Sequence, residues 1–194
     1  MAVKASARLL GVARHLLRLD EDLSRFYALV AADGELDWVT RGAGRMLRGQ
    51  SVFEDVVKTI CTTNCSWSAT VRMVGALVSE LGQSDGQGSC AFPTPQALAQ
   101  AGEDWYRERA RTGYRGAYLR PLAVAVAHGR LDLEGLRDPE LPDPEVERRL
   151  LALPGVGPYA AAHIMLTSLG RYHMLVLDSW TRPTYQRLIG RAAS

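Results

Sequence analysis

The chain has 194 residues, 47% of them hydrophobic and 23% charged, a composition that supports a substantial core and excludes a disordered or low-complexity protein. No apolar run approaches the ~20 residues that a membrane-spanning helix needs, and the N-terminus lacks a secretory hydrophobic segment, so no membrane partner and a cytoplasmic location are expected. The net charge of +2 is too small to demand a polyanionic partner, but between 151 and 194 Arg171, Arg182, Arg187 and Arg191 stand against one acid, Asp178; this reads as a phosphate-binding end or as a solvated basic surface.

Helical spacing of apolar residues dominates and period-two alternation is scarce, so the fold class is all-α. Helices are predicted over about 4–17, 20–32, 35–46, 51–62 and 66–82. Gly82 to Ser89 is a polar, glycine-rich loop. Further helices follow over about 95–102, 103–112 and 116–128, and Arg137 to Pro144 is a Pro/Asp connector. The last three are predicted over about 143–152, 158–169 and 182–190, with no internal repeat. Cys61, Cys65 and Cys90 are too few and too scattered for a disulfide frame, and Cys61 and Cys65 read as buried thiols one helical turn apart.

The most informative stretch begins at Asp143-Pro144-Glu145, read as an N-cap, a first-turn proline and a favourable acid. Pro154 stops that helix, while Gly155 and Gly157 permit a tight turn with positive φ and close approach of another backbone. Pro158 opens a new helix carrying Ala161, Ile164, Met165 and Leu169 on one side, and Gly170 ends it. Two helices joined by Pro-Gly-Val-Gly expose N–H groups that suit an anion; an ordinary helix–turn–helix packing element would look the same. The apolar Leu175-Val176-Leu177 then leads into Asp178.

Leu153-Pro154-Gly155-Val156-Gly157, Tyr159 and an aspartate nineteen residues later, Asp178, resemble the helix-hairpin-helix motif and Gly/Pro-rich loop plus aspartate of the base-excision DNA glycosylases, the HhH-GPD superfamily. The resemblance spans roughly 8 to 191. Arg18 to Leu23 with Phe26-Tyr27 is similar to the first helix of the 8-oxoguanine and 3-methyladenine branches, Ser51 to Asn64 to the helix bearing the DNA wedge, and Phe92 to Pro95 and Gly113-Tyr114-Arg115 with Tyr118 keep the family's order. It implies one two-lobed core over 1–194, with a middle-helix lobe of about 51–130, an N- plus C-terminal lobe of about 1–50 and 131–194, and a DNA-binding cleft between them. The β domain that precedes this core in some members is expected to be absent, and the C-terminal helices that follow it in relatives to be shortened.

What the resemblance implies for chemistry is specific. Asp178 would stabilise the positive charge on a deoxyribose whose base is leaving, and would orient or deprotonate an attacking water; capping the next helix is compatible with that role. Tyr159 stands where members that cut the sugar–phosphate backbone carry a lysine, and the only lysines here, Lys4 and Lys58, lie elsewhere. A monofunctional glycosylase that leaves an abasic site is therefore expected, with Tyr159 stacking on the extruded nucleotide, contacting its phosphate, or packing its own helix. His163, four residues on, would line the base pocket or be a satisfied core histidine. Asn64 occupies the wedge position, or else a plain polar turn; Trp67 and Trp180 are large enough to stack on bases or to fill core.

Gly155, Val156 and Gly157 would bind backbone phosphate through N–H groups, and the carbonyls of Leu151, Leu153 and Val156 would hold a monovalent cation, Na+ or K+. With no cysteine after Cys90, no iron–sulfur cluster is expected. Thr59 stands where the adenine and mismatch-thymine branches have a glutamate, which turns the expected substrate towards alkylated purines that leave without protonation. Pro183 implies that the helix after Asp178 begins near Thr181. The expected partner is double-stranded DNA with a damaged or mismatched base, bound by a nucleoid-associated monomer. The alternative is a non-catalytic DNA-binding or damage-sensing module that keeps the hairpin without the chemistry.

Overall fold

The computed structural model describes the backbone of residues 2–192, and the side chains in that span other than those of 2–6, 188 and 190–192. The described residues are helix, turn and loop, with a single antiparallel bridge between Ser84 and Cys90 and no strand. The chain divides into two compact units, Met1–Gln50 and Ser51–Ser194.

In the first unit, α1 (Ala2–Leu16) and α2 (Ser24–Val30) are followed by one 3-10 turn, Asp37–Arg41. The helix expected over 35–46 shrinks to that turn because Gly42 and Gly44 take φ of 117° and 99°, which a right-handed helix cannot contain. Helix α2 starts at Ser24 instead of residue 20 because the Asp22 carboxylate accepts from the Ser24 N–H at 2.9 Å and its hydroxyl at 3.0 Å, a local turn that competes with helix. Arginines tie the unit together: Arg45 donates to the carbonyls of Arg18 and Glu21, and Arg48 Nε to the His15 carbonyl at 2.7 Å.

The second unit contains α3 (Val52–Thr62), α4 (Trp67–Leu81), α5 (Pro95–Gln100), α6 (Gly116–Ala127), α7 (Asp143–Leu151), α8 (Pro158–Ile164) and α9 (Thr181–Ala192). Helix α3 is its axis. Val52, Val56 and Ile60, spaced four apart, and Phe53, Val57 and Cys61 beside them are all buried, against α4 on one side and α8 on another. Met73 and Leu77 of α4, Leu98 of α5, Leu119 of α6, Val146 and Leu150 of α7 and Ile164 of α8 complete one continuous core. Ser51, Ser66 and Thr94 cap α3, α4 and α5 by accepting the N–H groups of Glu54, Ala69 and Ala97 at 3.1, 3.3 and 3.2 Å.

Three local expectations change. The helix expected over 103–112 is a single π turn, Trp105–Arg109, because the buried Tyr106 anchors its hydroxyl to the Leu98 carbonyl at 2.7 Å and Arg111 and Gly113 then turn left-handed at φ 53° and 59°. Helix α8 loosens into a π turn at Met165–Leu169 before Gly170 ends it at φ 70°. Asp143 is the first residue of α7 and not its N-cap. Its carboxylate is drawn away to Arg171 and to His173 Nδ1, the latter at 2.7 Å, fastening the segment before Asp178 to α7 and giving His173 a partner that a loop residue would lack.

Candidate active site

Helix α3 ends in a turn that the sequence cannot continue as helix. Thr63 is extended and Asn64 takes φ 48°, a left-handed position that asparagine tolerates better than most residues. The turn is bolted from several directions. Arg115, buried despite its charge, donates to the Thr63 carbonyl, and its Nη1 reaches the Thr112 carbonyl at 3.3 Å. Below, Thr70 Oγ1 donates to the Cys61 carbonyl at 3.1 Å. Burial pushes the Cys61 thiol up to about 12, so it is an inert packing group. Asn64 Nδ2 donates to the Tyr114 hydroxyl at 3.3 Å, a bond that, with one from Thr63, lowers the Tyr114 pKa. The Arg115 guanidinium lies 4.7 Å from the Tyr114 ring centroid. Trp67 opens α4 one step beyond and is 75% exposed, which excludes the core reading.

The hairpin turns where expected. Gly155 has φ 83°, and a Cβ there would lie 2.6 Å from Tyr118 Cδ2 and 3.2 Å from its Cβ, so both the backbone angle and the aromatic neighbour require glycine. Gly157 precedes α8 in extended geometry, with no side-chain cap. Val156 departs from the expectation. Its N–H donates to the Leu153 carbonyl at 3.1 Å and its side chain is buried, which takes it out of the expected phosphate donors. The N–H groups of Gly155 and Gly157 have no protein acceptor among the described residues.

Asp178 and Thr181 form a reciprocal cap at the start of α9. The Asp178 N–H donates to Thr181 Oγ1 at 3.0 Å, while Asp178 Oδ1 accepts the N–H groups of Trp180 and Thr181 at 2.9 and 2.6 Å and the Thr181 hydroxyl. These bonds, the Thr181 hydroxyl's foremost, hold the carboxyl below its ordinary value of 3.8, so it is ionised at neutral pH. The cap also reconciles Asp178 with Pro183, since the regular helix begins at Thr181. Trp180, beside the acid, is 70% exposed and likewise no part of the core.

These segments meet around a cavity of ≈ 810 Å³. Of the residues expected in a site, Asn64, Gly155, Gly157, Tyr159 and Asp178 line it. Val156, Leu151, Leu153 and His163 do not. His163 stacks behind Tyr159 with ring centroids 5.9 Å apart at 26°, and burial lowers its pKa, so it braces the phenol as a neutral ring. Thr62, Tyr114, Tyr118 and Arg182 also line the cavity. The supporting roles missed in the sequence are those of Arg115 under the Thr63-Asn64 turn and Tyr118 under Gly155; both act across more than 30 residues of chain, where no spacing rule reaches. Thr59 is buried and bonded to the Asp55 carbonyl at 2.7 Å, and Lys58 pairs with Glu54; neither lines the cavity. The side chain of Arg191 lies outside the described residues.

No family model matches the chain. It is 34% identical over 153 residues to the N-glycosylase/DNA lyase OGG1 of Arabidopsis thaliana, covering 75% of this chain and 40% of that protein. It is 22% identical over 127 residues to a putative DNA-3-methyladenine glycosylase, YfjP, of Bacillus subtilis (strain 168), covering 66% and 43% respectively. Among solved structures it superposes with a TM-score of 0.75 and 28% identity on the Clostridium acetobutylicum 8-oxoguanine glycosylase/lyase in complex with double-stranded DNA containing cytosine opposite 8-oxoguanine, covering 89% of this chain and 60% of that one. The chain thus spans about two fifths of the length of the curated relatives it matches.

Proposed function

The chain belongs to the helix-hairpin-helix (HhH-GPD) superfamily of DNA glycosylases, and we propose that it is a monofunctional enzyme that hydrolyses the N-glycosidic bond of a damaged base in duplex DNA. The observation that carries this reading is the shared cavity: an ionised Asp178, a phenol at Tyr159 and the Asn64 turn face the same space as the glycine elbow.

In the proposed reaction Asn64 fills the gap left when the damaged nucleotide swings out of the stack, and the N–H groups of Gly155 and Gly157 receive a backbone phosphate. As the C1′–N bond breaks, its electron pair leaves with the base and positive charge grows on the sugar. Asp178 meets that charge, and its attraction strengthens as DNA displaces water from the cavity. A water oxygen bonds to C1′ and its proton passes to Asp178 or to solvent, leaving an abasic site. Tyr159 cannot form the imine through which an amine would go on to cut the strand. Among the described side chains no lysine lines the cavity. An acid to protonate the departing base is missing from the Thr59 position, which supports cationic alkylated purines as substrates because they leave as neutral bases. The carbonyls of Leu151 and Val156, which accept no hydrogen bond outside regular helix among the described residues, fit a monovalent cation at the elbow; the Leu153 carbonyl already receives the Val156 N–H. Such an ion would offset the negative end of α7.

The test is single-turnover incubation with duplexes bearing alkylated, oxidised and deaminated bases, followed by alkali to cut at abasic sites. Asp178→Asn keeps a capping oxygen and the fold; its release rate is expected to fall by at least about a hundredfold, the scale of removing one preorganised electrostatic group. Tyr159→Lys is expected to become trappable on DNA by borohydride while the parent protein is not. Tight duplex binding with no release from any lesion would favour a non-catalytic damage sensor; borohydride trapping of the parent would overturn the monofunctional reading.

A further inference from the structure

Asp178 caps α9 and Arg182, four residues on, is the second residue of that helix, a spacing that brings an acid and an arginine within reach of each other. They do not pair. The Asp178 carboxylate takes the N–H groups of Trp180 and Thr181 and the Thr181 hydroxyl. The Arg182 guanidinium, exposed and lining the same cavity, has no ion pair or hydrogen bond among the described residues. Among the described residues lining the cavity it is the only basic one, as Asp178 is the only acidic one. Its neighbours along the chain behave otherwise: Arg171 is held by Asp143, and Arg187 by the Thr184 hydroxyl and the Pro183 carbonyl.

This arrangement poses an electrostatic problem. A carboxylate that must approach a deoxyribose carbon also approaches the two phosphates flanking that sugar, and like charges resist the approach. A guanidinium left unpaired in the same cavity would in turn lose water when DNA covers it, a cost that only a new anionic partner offsets. Both are relieved if the guanidinium meets a phosphate.

We propose that Arg182 is a phosphate-binding residue that grips the backbone beside the extruded nucleotide and shields Asp178 from it. The proposal rests on the DNA glycosylase reading of the cavity. The planar guanidinium offers two parallel N–H groups to a phosphate, and the cap that occupies Asp178 is what keeps them free.

The experiment is the salt dependence of binding to a duplex carrying a non-hydrolysable abasic-site analogue, measured for the parent, Arg182→Ala and Arg182→Lys with their thermal midpoints. One lost phosphate contact is expected to make the slope of log Kd against log salt shallower by about 0.9 in Arg182→Ala, while Arg182→Lys keeps most of the slope. A parent slope retained in Arg182→Ala would overturn the assignment. If that variant binds normally but releases a lesion base more slowly at saturating enzyme, the guanidinium acts on the departing base and the phosphate role is wrong. A parent protein with no salt-dependent duplex binding would instead remove the glycosylase reading beneath the proposal.

Discussion

The proposed chemistry turns on how one carboxylate is held. Asp178 is exposed, and its pKa is lowered chiefly by the Thr181 hydroxyl, then by the Thr181 N–H and, against an opposing desolvation, the Trp180 N–H. A group with a depressed folded-state pKa adds stability above its unfolded value and loses it as pH falls through the folded value, and its ionised form persists over the same range. The rate of base release is therefore expected to stay flat on the acid side from pH 7 down to about 4. Thr181→Val removes the hydroxyl bond, raises the Asp178 pKa and should move the acid limb of the rate profile to higher pH than in the parent; identical profiles would count against the cap as the source of ionisation. Asp178 as both cap and candidate acid could be read from its place before a helix. The capping partner could not, because the Thr181 hydroxyl meets Asp178 only once the chain between them has turned.

At the scale of elements, the site is a meeting of three chain reversals: the Thr63-Asn64 turn, the Gly155 elbow and the cap before α9. The elbow is the most constrained. Gly155→Ala would impose a left-handed angle on a residue with a side chain, worth about 1–2 kcal/mol, and drive its Cβ against Tyr118, so a loss of about 2 kcal/mol or more is expected in chemical denaturation. Tyr118→Ala in that background should return only the steric share. Proline and glycine punctuation made the elbow legible in the sequence. The π turns at Trp105–Arg109 and Met165–Leu169 were not legible, because they arise where buried side chains such as Tyr106 and Met165 pull a helical backbone out of register, and propensity carries no trace of that pull.

At the scale of the whole molecule, stability and site geometry share a core. Leu150 is fully buried on α7, which packs on α8 across the elbow, and it belongs to the core cluster that also holds the buried face of α3. Leu150→Ala is expected to cost about 2–5 kcal/mol, visible as a lowered thermal midpoint, and to weaken duplex binding as the elbow loses its support. The amino-acid sequence alone determined the all-helical class, the elbow, the acid at its distance and a tyrosine at position 159, since these depend on residue type and short-range spacing. Only the tertiary structure decided that Val156 spends its N–H internally, that His163 stands behind Tyr159 instead of facing the cavity, and that Arg115 and Tyr118 brace turns far away in sequence. The reason is physical: periodicity tells a side chain which face of its helix it occupies, but which atoms meet that face is settled when distant helices close-pack.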